Sequence, residues 1–194
     1  MLGAPPFRGR SREPWVPVKL FRASFSLGGP WARGHAPRAM PHIHEKIDFT
    51  VAIFVVHEGK VLLIHHRKLD KWLPLGGHIE LDEDPEQAAR REALEESGFE
   101  VELIGERPPT SEPGTRALIG PRFLDIHRIH ETHEHIGMIY WARPKDGALK
   151  LAAEEHHDIR WCSAADLESL TPPMTNAVKW YCRKALEEVM RDEV

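Results

Sequence analysis

Three glutamates, Glu92, Glu95 and Glu96, stand close together in the stretch from Gly76 to Val101. If this stretch is helical, at about 100° per residue, their side chains fall within an arc of about 100° on one face. Like-charged neighbours at i,i+3 and i,i+4 each cost roughly 0.2–0.5 kcal/mol on an exposed helix. The pattern therefore indicates either a solvated acidic surface or a site where a cation relieves the repulsion.

Helix signals flank the three glutamates on both sides. Asp84 is a good N-cap residue, Pro85 fits the first helical position, and Gln87 stands where the partner of a capping box belongs. Gly98 can take the left-handed conformation that ends a helix. These signals predict a helix from about Pro85 to Ser97.

The spacing around the glutamates is more specific than the acidic run itself. Gly77 is followed after five residues by Glu83, and after seven more by the run REALEESGF, residues 91–99. This segment resembles the Nudix box, the 23-residue loop–helix–loop signature of the Nudix hydrolases, and it matches that signature at every fixed position. Ala93 stands where a larger aliphatic residue is common. The resemblance extends more loosely from about Phe49 to Leu167.

The resemblance implies a metal site on the predicted helix. Glu92, Glu95 and Glu96, with the backbone carbonyl of Gly76, would hold Mg²⁺ or Mn²⁺, because such hard cations prefer oxygen ligands. One glutamate, either Glu92 or a carboxylate from a distant loop, would take the proton of the attacking water.

Other box residues are implied to support these ligands. Arg91 counts with the three glutamates among the catalytic residues, and it would pair with Glu83 so that its guanidinium fixes the loop and orients the carboxylates. Gly77 and Gly98 would be structural. Because Nudix enzymes often draw a further carboxylate from a loop beyond the box, the candidates here are Glu154 and Glu155, with Glu131 and Glu134 behind them.

Several other side chains allow more than one interpretation. The stretch HRIHETHEH brings together four histidines that could serve Zn²⁺, line a phosphate-rich pocket or sit on an exposed strand, namely His127, His130, His133 and His135. The same alternatives apply to His42 and His44. Trp72 and Tyr140 could stack on a base, although core packing is the commoner fate of aromatic residues. Pro113 lies near a proline offset associated with ADP-ribose pyrophosphatases, which is a weak indication.

The elements that must position these residues can be outlined from periodicity. Residues 47–56 and 61–67 predict a β-hairpin, 68–84 a loop, 100–106 a strand and 107–121 a Pro/Gly-rich loop. Residues 122–130 and 135–144 predict a strand pair, 156–163 a further strand, Ser163 the N-cap of a short helix, and 175–193 a terminal helix. Strands interleaved with helices predict an α/β (α+β) fold with a mixed β-sheet, and the resemblance implies the Nudix-type α/β/α sandwich.

Length, charge and composition limit the number of domains, the expected partners and the expected location. The 194 residues suit one domain, here 41–194, behind an irregular basic tail at 1–40. The formal charge of −4 divides into +6 for the tail and −10 for the rest, so duplex nucleic acid is not an expected partner. No apolar run reaches the roughly 20 residues of a membrane span, so no membrane partner is expected. Two cysteines favour reduced thiols and a cytoplasmic location, with organelle targeting through the basic N-terminus as a minor alternative.

The sequence as a whole predicts an enzyme with a small nucleotide-type substrate. The predicted reaction is metal-dependent hydrolysis of the pyrophosphate linkage in a nucleoside diphosphate linked to another moiety, such as a nucleotide or a nucleotide sugar. The alternative is a non-catalytic Nudix-fold module that senses a nucleotide. The intact set of glutamates favours the enzyme, since a sensor has no need of hydrolytic ligands. A homodimer is a possible assembly.

Overall fold

The computed structural model describes residues 44–109 and 112–191. The predicted tail at 1–40 and His42 therefore lie outside the described residues, and the domain boundary stays a prediction. The described chain forms β1 (Ile47–His57), β2 (Lys60–His66), β3 (Lys71–Leu73), β4 (Leu75–His78), α1 (Pro85–Ser97), β5 (Phe99–Ile104), β6 (Phe123–His130), β7 (His133–Gly147), β8 (His156–Cys162) and α2 (Asn176–Arg191).

A mixed sheet is built around β1 and β7. These two strands run parallel, with Asp48 opposite His135 and Val55 opposite Ala142. On its other edge β1 pairs antiparallel with β4, while β7 pairs antiparallel with β5 and β6 along different parts of its length. The end of β1 forms the predicted hairpin with β2, which pairs in turn with β3 and β8.

One helix covers each side of the sheet. Side chains of β1 alternate between the two faces, as in any strand. Val51, Ile53 and Val55 join the buried cluster that contains the alanines of α1, namely Ala88, Ala89 and Ala93. Phe54 and Val56 join the cluster that contains the apolar residues of α2, namely Cys182, Ala185, Leu186 and Val189. The α/β/α sandwich is therefore confirmed, and both cysteines are free and buried on the α2 side.

The helix signals read from the sequence are confirmed. The Asp84 side chain accepts hydrogen bonds from the backbone N–H groups of Glu86 and Gln87, and the Gln87 side chain returns one to the backbone of Asp84. Gly98 ends α1 in the left-handed region, with φ of 76°. Local hydrogen bonding is thus enough to fix both ends of the helix that carries the three glutamates.

Two local predictions were wrong. The segment predicted as a loop before α1 contains β3 and β4, because β2 and β1 offer hydrogen-bonding partners that propensity does not reveal. The helix predicted to begin at Ser163 is a single 3-10 turn, Asp166–Glu168. Ser163 Oγ accepts the Asp166 N–H at 3.4 Å, as expected of an N-cap side chain, while its own N–H and hydroxyl donate to the Asp166 carboxylate. The Pro172–Pro173 pair that follows cannot extend a helix.

A buried glutamate of α1 holds the long connection between β5 and β6. Glu86 is 6% exposed, and its Oε1 accepts the Ile119 N–H at 2.7 Å while its Oε2 accepts from Arg107 at 2.7 Å. Burial acts to raise the pKa of Glu86, but the hydrogen bonds from Ile119 and Arg107 outweigh it and hold that pKa below the ordinary value of 4.5. The ionised carboxylate therefore fastens this connection to the helix.

We expect Glu86→Gln to lower the free energy of unfolding at pH 7 by about 1–3 kcal/mol. Both carboxylate oxygens accept hydrogen bonds, so the NH2 group of a glutamine would face an N–H donor and leave it without an acceptor. Since the folded-state pKa of Glu86 is depressed, its contribution is present above pH 4.5 and is lost as the pH falls through the folded value. The deficit should therefore shrink in acid. Urea unfolding at several pH values measures it, with the exposed Glu106→Gln as the matched control. Equal stability of the Glu86 variant and the wild type at pH 7 would contradict this role.

Candidate active site

The two glycines of β4 lie directly against the glutamates of α1. The Gly76 N–H donates to Glu96 Oε2 at 2.8 Å. A Cβ placed on Gly77 would lie 2.3 Å from Glu92 Oε1, and one on Gly76, whose φ is +153°, would lie 2.1 Å from the Val51 carbonyl oxygen. Gly76 requires glycine, because a Cβ there would collide with the backbone of β1, whereas a Cβ on Gly77 would displace the Glu92 carboxylate.

Arg91 holds the loop and the carboxylates together. Its Nε donates to Glu83 Oε1 at 2.6 Å and its Nη2 to Glu83 Oε2 at 2.8 Å, so the bidentate contact expected between these residues is present. Nη2 also donates to the His78 carbonyl at 3.0 Å. Nη1 donates to Glu92 Oε1 at 2.7 Å and to Glu95 Oε2 at 3.3 Å. One guanidinium thus joins the end of β4, the loop and the acidic face of α1.

The acidic face of α1 disfavours the ionised form of its own glutamates. Burial, and then the negative charges of Glu96 and Glu95, raise the pKa of Glu92 to about 7 against the opposing hydrogen bond from Arg91. Burial also raises the pKa of Glu96, against the opposing interaction with His156. Closely spaced carboxylates that resist ionisation are a donor set that a divalent cation would stabilise.

The loop before β8 adds two residues to the site. His156 is fully buried, and its Nε2 lies 2.9 Å from Glu96 Oε1. One ligand atom each of Glu96, Glu155 and His156 lie within 4.8 Å of one another, and Glu155 is the exposed member of this group. Of the two candidate loop carboxylates, the structure therefore places Glu155 beside Glu96, whereas Glu154 is exposed and does not join this group.

The three helix glutamates do not converge on one point. Glu92 and Glu95 turn toward Arg91, while Glu96 turns toward Gly76 and His156. In this arrangement the guanidinium supplies the positive charge that the carboxylates need. The other carboxylates considered, Glu131 and Glu134, lie in the β6–β7 turn and at the start of β7.

Sequence reasoning missed His156. The only available signal was its position directly after Glu155, at the start of a predicted strand. The loop is held in place by Arg67, whose N–H donates to the Glu155 carbonyl at 2.9 Å and whose Nη2 donates to the Ala153 carbonyl at 2.8 Å. This contact spans more than 80 residues of chain, which is why local patterns do not reveal it.

The aromatic candidates for base stacking belong to the core. Trp72 is 2% exposed and Tyr140 is 1% exposed. The Tyr140 hydroxyl donates to the Ile119 carbonyl at 3.4 Å, and the Trp72 indole donates to the Thr171 carbonyl at 3.1 Å. Core packing is thus their role in this structure, and Pro113 is exposed.

Comparison with known proteins agrees with this architecture. The NUDIX domain family matches residues 46–181. A NUDIX-family hydrolase structure from Clostridium perfringens is 33% identical, with a TM-score of 0.64, over 73% of this chain and 97% of that chain. A MutT-like protein of Streptomyces ambofaciens is 30% identical over 65% of this chain and 80% of its own length. An oxidized purine nucleoside triphosphate hydrolase of Danio rerio is 44% identical over 27% of this chain and only 35% of its own length.

The fold and the box together define a hydrolase of the α/β/α sandwich type. The chain belongs to the Nudix family, and it is a Nudix hydrolase. Its general reaction is accordingly the hydrolysis of a pyrophosphate linkage, for which the family generally uses a divalent cation. Among the described residues, no helix is long and apolar enough to span a membrane.

We expect the Arg91–Glu83 pair to act as one unit. Arg91→Lys should weaken Mn²⁺ affinity and slow turnover together, on the order of 10–100-fold, because an ammonium cannot reproduce the planar two-point contact. Glu83→Gln should be milder, and the double variant less than additive. Mn²⁺ titration and kcat measurements on the three variants test this. Arg90→Lys is the control, since Arg90 contacts Val101 and Glu86 instead. Strictly additive losses would show that Arg91 and Glu83 act separately.

Proposed function

We propose that the protein hydrolyses the pyrophosphate linkage of a nucleoside diphosphate joined to another moiety, with Mg²⁺ or Mn²⁺ as cofactor. The observation that carries this proposal is the contact between α1 and β4. It places two carboxylates of raised pKa, the partly buried Glu92 and the buried Glu96, against Gly77 and Gly76. A protein keeps such an unfavourable arrangement where a cation and a phosphate chain complete it.

The residues present supply the oxygen donors that a hard divalent cation prefers, and Glu92 and Glu95, which point toward Arg91 in this structure, would turn to reach it. Glu92, Glu95 and Glu96 with the Gly76 carbonyl would hold it, and Glu155 offers a further oxygen from the loop before β8. When bound, the cation offsets the charge that builds at phosphorus and lowers the pKa of an attacking water. The protein itself contributes a fixed carboxylate set, because Gly76 anchors Glu96 and Arg91 anchors the loop.

Two carboxylates can receive the proton of the attacking water. Glu92 lies among the proposed ligands, so it adjoins the position at which the cation would hold the attacking water. Glu155 is exposed and adjoins Glu96, so it can approach a water from the open side of the site. The carboxylate that accepts the proton must then release it to solvent before the next turnover, and exposure favours Glu155 in that step.

The substrate class follows from the reaction and the relatives. The printed activity of the Danio rerio relative concerns oxidized purine nucleoside triphosphates, and a nucleoside triphosphate is itself a nucleoside diphosphate joined to phosphate. That match covers only 27% of this chain and 35% of the relative, so it supports the reaction more than the identity of the base. The homodimer, the cytoplasmic location and the lack of a duplex or membrane partner stay predictions of the sequence.

A substrate screen tests the proposed reaction. The full chain is incubated with ADP-ribose, nucleoside triphosphates including an oxidized purine, dinucleoside polyphosphates and NADH, and the phosphate products are identified. We expect hydrolysis of at least one of them with Mg²⁺ or Mn²⁺ and none in EDTA. Metal-independent turnover, or none of any substrate with either metal, would overturn the proposal.

The helix glutamates should be essential for turnover but not for folding. We expect Glu95→Gln and Glu96→Gln each to lower kcat by at least about 100-fold, because the amide keeps the shape but loses the charge that binds the cation. Circular dichroism should stay unchanged. Glu102→Gln, an exposed residue of β5, is the matched control. Wild-type activity of either helix variant at low Mg²⁺ would refute the metal assignment.

Adjacent glutamates in the loop before β8 give a second comparison. We expect Glu155→Gln to reduce kcat by at least about 10-fold, as for a lost ligand or base, whereas Glu154→Gln should stay within about twofold of the wild type. If Glu155 is the base, its variant should also lose the acidic limb of the pH–rate profile. Equal effects of the two substitutions would exclude a special role for Glu155.

A further inference from the structure

A second cluster of metal-binding side chains lies outside the box, on the sheet face that carries α2. It consists of Asp48, His78, His133 and His135, here called the histidine cluster. Asp48 is opposite His135 in the parallel pairing of β1 with β7, and His78 is opposite Thr50, two residues after Asp48. Because residues two apart share a face, three neighbouring strands direct all four side chains to one place. Each of the four is at most 6% exposed.

The separations in the histidine cluster suit a single small cation. Asp48 Oδ2 lies 3.2 Å from His133 Nε2 and 3.4 Å from His78 Nε2. One ligand atom each of Asp48, His133 and His135 lie within 4.8 Å of one another. Ligands about 2.0–2.2 Å from a tetrahedral Zn²⁺ stand about 3.3–3.5 Å apart. The separations of Asp48 Oδ2 from His133 Nε2 and from His78 Nε2 are therefore already close to the spacing of two ligands on one Zn²⁺.

Backbone groups just before β1 orient the side chains of Asp48 and His133. Asp48 Oδ1 accepts the His44 N–H at 2.7 Å. His133 Nδ1 lies 3.4 Å from the Glu45 carbonyl oxygen, and its Nε2 is the atom that faces Asp48. Metal-binding histidines usually direct one ring nitrogen to the ion and the other to a backbone carbonyl or a carboxylate, and the orientation of His133 matches this arrangement.

His135 supplies an independent indication of a missing ligand. Its Nε2 is fully buried and has no hydrogen-bond partner among the described residues. A buried polar atom without a partner is uncommon in a native protein and calls for a bound ion or water.

We propose that Asp48, His133 and His135 bind a divalent transition-metal ion, Zn²⁺ being the one that this nitrogen-rich set favours, with His78 as a candidate fourth ligand. The imidazoles distinguish this site from the all-oxygen set on α1, which suits Mg²⁺. The ion would join β1 to β7, and through His78 to β4, the strand that carries Gly76 and Gly77. Its role is therefore structural support of the site, a property separate from the proposed hydrolysis.

Zinc binding to the full chain can be measured without any substrate. The protein is stripped with EDTA, saturated with excess Mg²⁺ to occupy the carboxylate site, and titrated with Zn²⁺ against a chromogenic chelator. We expect one tight site per chain, a Zn²⁺-dependent rise in Tm, and the visible absorption of a four-coordinate site when Co²⁺ replaces Zn²⁺. Absence of a tight site would overturn the proposal.

Substitutions of the proposed ligands, compared with control substitutions, test where the ion binds. Asp48→Asn, His133→Gln and His135→Gln should each weaken Zn²⁺ binding by at least about 100-fold and remove the Tm rise. His57→Gln, an exposed histidine, and Glu96→Gln in the carboxylate site should keep wild-type affinity. Unchanged binding in the His133 and His135 variants would overturn the assignment. Loss of binding in Glu96→Gln instead would place the ion on α1 and overturn it equally.

A spectroscopic measurement covers the case in which the variants do not fold. X-ray absorption at the zinc edge of the loaded wild-type protein counts imidazole ligands directly. Two or three imidazoles with one oxygen would support the site, and a set dominated by oxygen would refute it. Neither measurement uses turnover, so failure of the proposed hydrolysis would leave the zinc result intact, and the reverse also holds.

Discussion

The close approach of α1 to β4 is the constraint on which the site depends. Gly77 leaves no room for a Cβ beside Glu92, and Gly76 gives its N–H to Glu96 while its own Cα lies against the backbone of β1. Helix and strand therefore meet through backbone and carboxylate, without an intervening layer of side chains. This contact buries Glu92 and Glu96, and burial is the first cause of their raised pKa values.

The buried charge requires compensation, and Arg91 provides much of it. Its contact with Glu83 fixes the loop, and its contacts with Glu92 and Glu95 spread one positive charge over the acidic face. Removing one partner of such a network leaves the others buried and unpaired, which is far more costly than the net value of any single pair.

The parallel pairing of β1 with β7 has a comparable role on the other face of the sheet. It sets Asp48 beside His135, and the antiparallel pairing of β4 sets His78 near them. One strand, β4, thus contributes glycines to the α1 side of the sheet and a histidine to the opposite side. The two candidate metal sites share this strand, although their donor atoms differ in kind.

The sequence alone determined what local interactions decide. The caps of α1, the hairpin of β1 with β2 and the arc of the three glutamates follow from hydrogen bonds and side-chain spacing within a few residues. The tertiary structure decided which distant residues meet. Gly76 and Gly77 form a strand because β1 pairs with them, and His156 reaches Glu96 through a loop held by Arg67. His133 and His135 were visible as a pair, but Asp48 was not, because only the register of two strands more than 80 residues apart brings them together.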